Sequence, residues 1–384
     1  MPYVGAVVTA AALVGGGVVV ANSAEAATVI LPGFPDDPEL AWDIRVNDAE
    51  WAVGDERNVY VAAPGVSVDL TAITVWDRDS GDFVRRFSTV KPSGDVSYYR
   101  LVLDGTILSE YCHESTESFE CELVASDATN GDTLWRQDTS NTTIGIVGRS
   151  VVLNTGSRIS LVDLRSGDDQ ASASGDYVYY ETFRSAVGVR DGRRVEIFEL
   201  PDLARPLQSL LLADADESYD LVGNIPVVSD GRQLLVGADL VEARRFESEI
   251  LGLTAGSDEI VLVATNDGTT VVDLSVMPAS DLWESNPQFV GALVGPSGSA
   301  MFSFEEELVF LDQQTGAPIA STGGCCSFSD GGIVLVEPER VWGFGYEEQD
   351  EVWSVDGLTT DSTFHLVDDG FVTIETDGTV RLYQ

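Results

Sequence analysis

Apolar and polar positions along this chain alternate at a period of two in short runs, and the runs end at aspartate, glycine, asparagine or proline. The clearest case is Leu123 to Trp135. Leu123, Ala125 and Asp127 alternate with Val124 and Ser126, so one set of side chains faces a neighbouring layer and the other faces away. Asp127 closes the strand, the run Asp-Ala-Thr-Asn-Gly offers side-chain oxygens to nearby backbone N–H groups, and Gly131 suits the positive φ of a bulged hairpin turn. Leu134 and Trp135 begin the next strand. An apolar strand followed by Asp-x3-Gly recurs at Asp77 to Gly81, Asp163 to Gly167 and Asp312 to Gly316, with Arg85, Ala171 and Ala320 where the first copy has tryptophan. Weaker copies place equivalent strand ends at Glu199, Asp239, Asp273, Glu347 and Gln384, so successive ends lie 34 to 50 residues apart. No segment sustains a helical period.

A period of this size over a whole chain marks an array of similar sheets, and an ordinary sandwich has no reason to keep it. Ala125, Asp127, Gly131 and Trp135 together match the repeat Ala-x-Asp-x3-Gly-x3-Trp, and on these residues the chain resembles the quinoprotein-like β-propellers. The resemblance implies an all-β fold, a β-propeller of four-stranded blades spanning residues 39–384. Eight blades are expected, with seven and nine as alternatives, since one weak copy, Glu199 or Asp239, can be an insertion within a blade. In the repeat, Ala125 is read as permitting close approach of blades and Trp135 as filling the gap between them.

The two ends of this region complement one another. Residues 39–46 read as a strand with no partners before it, and Ala41-Trp42 resembles Leu134-Trp135. Residues 364–384 read as three strands joined by Asp-Gly turns, with a fourth missing. The N-terminal strand is therefore expected to join the last blade and close the fold. Ahead of it, residues 27–38 form a proline-punctuated linker, and residues 1–26 read as a signal peptide or transmembrane anchor. The uncharged apolar run at 4–21 is 18 residues long. That is near the lower limit for a span and longer than a usual signal core, while Ala24-Glu25-Ala26 has the form of a peptidase site. Both readings put the domain outside the cytoplasm.

Charge narrows the partners. Acids outnumber Lys and Arg by 64 to 21, Lys91 is the only lysine, and the formal charge is −43. Such a surface repels nucleic acid and anionic membranes, so no nucleic-acid partner is expected and membrane contact is confined to the N-terminal segment. The 4 cysteines fit an oxidising compartment. Cys112 and Cys121 flank a long loop of the second blade, where a bridge contributes about 2–3 kcal/mol on loop-entropy grounds. Cys325 and Cys326 are adjacent, and a bridge between neighbours distorts the peptide between them. The pair resembles the vicinal disulfide that lies against the quinone of quinoprotein alcohol dehydrogenases, and is the one candidate for cofactor binding; a rigid turn after Gly323-Gly324 or reduced thiols is the plainer reading.

Other chemistry is sparse. His113 and His365 are the only histidines, too few for a histidine-rich metal site. Asp77, Asp79 and Asp82, and the group Asp214, Asp216 and Glu217, look like the beginnings of calcium loops without the full ligand pattern, and Asp77 is better read as the repeat's turn residue. No catalytic residue stands out. The chain therefore looks like the scaffold branch of the family, similar to the outer-membrane assembly propeller: an exported or anchored protein that binds a protein or cell-envelope partner through its loops, without catalysis or cofactor. The alternative implied by the resemblance is a quinone-dependent oxidoreductase using pyrroloquinoline quinone with calcium at a central channel.

Overall fold

The structure is a computed structural model, and it describes residues 35, 37–91, 96–114, 119–139, 143–180, 186–213, 218–222, 225–237, 239–255, 260–276, 278–285, 308–311, 318–322, 325–328, 332–337, 340–345, 350–358, 363–367 and 370–384. The apolar N-terminal run, the signal-peptide or anchor reading and most of the linker lie outside them, as does the loop at 214–217. Among the described residues every regular element is a strand, and no helix is long and apolar enough to cross a membrane.

Among the described residues the strands form eight antiparallel sheets of four and one of two. They are the blades of a β-propeller. The Asp77 sheet consists of Trp51–Gly54, Asn58–Pro64, Leu70–Asp77 and Phe83–Val90. The Asp127 sheet consists of Val96–Leu103, Thr106–Glu114, Phe119–Asp127 and Thr133–Asp138. The Asp163 sheet spans 143–174, and four more span 177–211, 218–245, 250–285 and 325–356. The terminal sheet is discontinuous in sequence: Leu40–Arg45 pairs antiparallel with Thr379–Tyr383, from Leu40↔Tyr383 to Arg45↔Thr379, and completes the three strands of 363–383.

One expectation is corrected. The weak copies at Glu199 and Asp239 are not insertions, because the strands around them build complete sheets of four, 177–211 and 218–245. The Asp312 copy, which reads better in sequence, belongs to a sheet of two described strands, Leu308–Leu311 and Pro318–Thr322. A strand needs apolar residues on both faces more than it needs the turn signature. Val195 and Ile197 alternate with Phe198, and Val227 adjoins Val228, all buried. That two-sided burial is what the Asp-x3-Gly pattern does not report.

The sheets group into two compact units. One takes in Val152–Leu161 and Ala171–Gly323, and the other residues 35–151, 162–170 and 324–384. In the first, Val195, Ile197, Tyr219 and Leu221 join a cluster with Val228, while Val227 packs the opposite way with Val261, Val263 and Val272. In the second, the strand Asn58–Pro64 divides its side chains by the period of two. Val59, Val61 and Ala63 pack with Val372, Ile374 and Leu382 of the terminal sheet, and Tyr60 and Ala62 pack with Val102 and Ile107 of the Asp127 sheet. Each fully buried valine of this kind contributes about 1.5–3 kcal/mol. Fourth strands carry the polar surface: Thr133–Asp138 and Asp169–Ser174 are largely exposed.

The turns at the ends of the third strands share one geometry. Gly81, Gly131 and Gly167 donate their N–H groups to the carbonyls of Asp77, Asp127 and Asp163 at 2.9, 2.8 and 2.9 Å. Their φ angles are 70°, 81° and 74°. The preceding sheet docks on this turn through its fourth strand. Trp42 Nε1 donates to the Arg78 carbonyl at 2.7 Å, and Trp135 Nε1 donates to the Leu164 carbonyl at 2.8 Å. Arg85, which breaks the tryptophan pattern in sequence, keeps the bond, because its Nη2 donates to the Ala128 carbonyl at 3.0 Å. The glycines are needed for space as well as for φ: a Cβ on Gly167 would lie 2.6 Å from Cγ of Trp135, and one on Gly81 2.8 Å from Cγ of Trp42.

This arrangement predicts a non-additive mutant cycle. Gly105 has φ +70° with nothing near a built Cβ, so Gly105→Ala carries only the left-handed penalty of about 1 kcal/mol. Gly167→Ala adds the collision with Trp135, for a total of about 2–4 kcal/mol. In a Trp135→Gly background, which removes the Cβ at 2.8 Å along with the ring, the excess disappears, measured by denaturant unfolding. Equal costs for the two glycines in the wild type would exclude tryptophan packing as the reason for Gly167.

Candidate functional site

The candidate site lies where the Asp77 and Asp127 sheets join their second strands to their third. Thr106–Glu114 and Phe119–Asp127 run nine residues each and pair continuously from Thr106↔Asp127 to Glu114↔Phe119. Cys112 and Cys121 face one another across this hairpin and form a disulfide. Two residues before Cys112, on the same side of the strand by the period of two, Glu110 is buried and accepts a hydrogen bond from the Thr139 hydroxyl at 2.6 Å. The Thr139 N–H donates to the Cys121 carbonyl at 2.9 Å, which ties the fourth strand's end to the bridge. Burial pushes the Glu110 carboxyl up from the ordinary carboxylate range, against the Thr139 bond that pulls it down.

Beside it stands a small group of cations and aromatics. The Arg100 guanidinium lies 5.1 Å from the ring centroid of Trp51, and its pKa is pulled down to about 10 by burial, opposed by Tyr111 and Glu50. Burial also raises the Tyr111 hydroxyl. Lys91 pairs with Glu50 at 3.9 Å. Next to Lys91, the segment between Pro64 and Leu70 is held by Gly65 N–H to the Leu70 carbonyl at 2.9 Å and by Lys91 N–H to the Asp69 carbonyl at 2.8 Å. On this ordered loop Val66 and Val68 are 97% and 89% exposed. Loop and hairpin each join the second strand of a sheet to its third, in consecutive sheets.

The remaining sequence candidates take structural places. Ala125 is fully buried, opposite Leu108 and Trp135 in its sheet, and Trp135 reaches the next turn. Asp77 accepts from the Ser80 N–H and hydroxyl, both at 2.9 Å, and these bonds, the N–H first, lower its pKa. Asp82 occupies a repeated position, since its N–H donates to Ser80 Oγ as the Asp168 N–H donates to Ser166 Oγ. Asp79 is exposed in the same turn. The calcium candidates Asp77, Asp79 and Asp82 are therefore one copy of the blade turn. Cys325 and Cys326 start a strand in continuous register, Cys325↔Val336 and Cys326↔Leu335. His365 is buried in the terminal sheet, and His113 lies in the hairpin.

Sequence reasoning missed Glu110, Arg100 and the valine loop. The signal for Glu110 was available, because a glutamate sits at the strand period from Cys112 inside an otherwise buried run. Arg100 could not be found this way: its partner Trp51 is brought to it by packing between sheets.

No family model and no curated protein matches the chain. Solved structures do resemble it. BamB from Moraxella catarrhalis is 13% identical over 90% of this chain and 99% of that one, with a TM-score of 0.43. A quinohemoprotein alcohol dehydrogenase from Comamonas testosteroni is 10% identical over 91% of this chain and 76% of that one, with a TM-score of 0.40. Sqt1 from Chaetomium thermophilum, in a structure with the N-terminus of ribosomal protein L10, is 12% identical over 72% of this chain and 93% of that one, with a TM-score of 0.43. At such identities the likeness concerns fold and says nothing of activity.

The buried carboxyl predicts a pH effect. An acid whose folded pKa lies above its unfolded value loses stability as pH rises from the unfolded value, about 4.3, through the folded one. Glu110→Gln keeps an acceptor for Thr139 without the charge, so its stability relative to wild type rises with pH across that window. Parallel stability curves from urea unfolding between acidic and neutral pH would place the Glu110 carboxylate in water.

Proposed function

We propose that this protein is an extracytoplasmic propeller that holds a protein partner of the cell envelope on its loops and performs no chemistry. The observation that carries this reading is the Val66–Val68 loop. Its backbone is hydrogen-bonded at both ends while its two valines face solvent, so it offers apolar surface with little ordering cost on binding. The neighbouring hairpin is fixed by its disulfide, which gives the partner a second rigid wall and fits an oxidising compartment. The acidic surface adds long-range attraction for a basic partner and repulsion for polyanions. In this reading residues 4–21 carry the chain to or through the membrane, and the propeller needs neither pyrroloquinoline quinone nor calcium.

The test is capture from the native envelope. Wild-type protein should retain one basic protein that a Val66→Asp, Val68→Asp double variant loses at least tenfold, while thermal unfolding stays unchanged because both side chains are exposed. In parallel, incubation with pyrroloquinoline quinone and calcium should give neither a bound-cofactor absorbance nor dye reduction with alcohols or aldoses. Stoichiometric quinone binding with turnover would overturn the reading, and so would capture indifferent to the loop variant.

A further inference from the structure

The hairpin whose bridge stiffens one wall of the partner surface also buries a carboxyl beside that bridge, which the partner-binding reading does not use. Ligand atoms of Glu110, Cys112 and Cys121 all lie within 4.8 Å of one another, and the three residues are 8%, 2% and 6% exposed. We propose that the Cys112–Cys121 bridge is the closed state of a metal site, and that its reduction opens a buried two-thiolate, one-carboxylate site for a thiophilic divalent cation such as Zn2+.

The placement follows from strand geometry. Glu110 and Cys112 are two residues apart on one strand and so share a face, and Cys121 stands directly across from Cys112 on the next. Two sulfurs and a carboxylate oxygen around a tetrahedral zinc sit about 3.3–3.8 Å apart. The bridged sulfurs must separate to reach that spacing, which cleavage allows, and the carboxylate oxygen, within 4.8 Å of both sulfurs, closes the rest by a small side-chain movement. Thr139 supplies the orienting partner: its hydroxyl holds Glu110 at 2.6 Å, as outer hydrogen bonds hold metal-ligating carboxylates elsewhere. The pairing from Thr106↔Asp127 to Glu114↔Phe119 keeps the two cysteines opposite one another whether or not they are bonded. A fourth coordination position is left for water.

The chemistry balances with a dithiol as reductant. The dithiol gives two electrons and two protons to the bridge and becomes a disulfide, leaving Cys112 and Cys121 as thiols. Zn2+ then binds both sulfurs and releases two protons. A disulfide oxidant reverses the sequence: it takes two electrons from the two thiolates and two protons from water to become a dithiol, the Cys112–Cys121 bond reforms and Zn2+ leaves, so occupancy reports the dithiol–disulfide balance around the hairpin.

The experiment uses the full chain in a Cys325→Ser, Cys326→Ser background, reduced with a water-soluble phosphine, freed of reductant under anaerobic conditions and titrated with Co2+. One Co2+ per chain should bind, with a thiolate-to-metal charge-transfer band and tetrahedral visible bands, and Zn2+ should displace it. The oxidised protein should bind none, Cys112→Ser should lose the charge-transfer band, and Glu110→Gln and Thr139→Val should weaken binding by about 10–100-fold. Circular dichroism follows the fold throughout. Loss of the strand spectrum on reduction, absence of Co2+ binding by folded reduced protein, or binding unchanged in Glu110→Gln would each overturn the proposal. None of these outcomes bears on the Val66–Val68 loop, so this site and partner capture by that loop stand or fall separately.

Discussion

The second compact unit depends on one repeated hydrogen bond. A donor from the fourth strand of one sheet reaches the carbonyl that follows the turn aspartate of the next, as Trp42 Nε1 does to Arg78, Arg85 Nη2 to Ala128 and Trp135 Nε1 to Leu164. Apolar clusters between sheets supply most of the free energy, but hydrophobic contact is not directional and two twisted sheets can slide on one another. A bond of about 1 kcal/mol, partly withdrawn from water, fixes the slide. The glycine at the turn lets the donor's side chain lie flat against the backbone. Where the donor is Arg85, the space a Cβ on Gly131 would need is taken by the Ser88 carbonyl, 2.4 Å away, and by the Phe87 ring at 2.7 Å. Donor and filler are thus separable functions that tryptophan combines.

The same turn accounts for part of the acidity. Asp127 accepts from the Thr129 hydroxyl and N–H and from Arg165, and Asp163 accepts from the Ser166 and Arg165 N–H groups. These bonds hold both carboxyls below their ordinary range, the Thr129 hydroxyl leading for Asp127 and the Ser166 N–H for Asp163. A depressed folded pKa stabilises above the unfolded value and the contribution is lost as pH falls through the folded one. For groups this exposed, solvent screening keeps it small. Their use is to shape the turn, and carboxylates already committed to backbone N–H groups are poor starting points for a calcium loop.

The fold was legible because its information is local. Period-two alternation, Asp-x3-Gly turns and the three-strand ending at 364–384 are each contained in a few dozen residues, and they foretold the partnership of Trp42 with the last strands. What was hidden is carried by contacts between sheets. Arg85 read as a failed tryptophan, because a motif records a residue type and the carbonyl of Ala128 accepts from any suitably placed N–H. Glu199 and Asp239 read as weak copies, although Val195, Ile197, Leu234 and Val236 bury their sheets as fully as the strong copies do. Of the candidate site, the cysteines stood out by type and spacing, whereas Arg100 over Trp51 and the exposure of Val66 and Val68 depend on which strands end side by side.

That division explains why the chemistry gathers at the hairpin. Blade sheets place alternate side chains of their first three strands against neighbouring blades, so a polar residue there must be neutral, paired or absent. The hairpin of the Asp127 sheet exceeds its neighbours in length and carries that demand for burial outward, with Glu110, Cys112 and Cys121 on one face. A carboxyl would ordinarily be excluded from such a place. Thr139 makes it tolerable by donating one hydrogen bond, and the cost of retaining a buried carboxyl beside two sulfurs has no return in packing, since an apolar residue of similar size would satisfy the strand better. A group kept against its packing preference beside two sulfurs is best understood through what those sulfurs can do when they part.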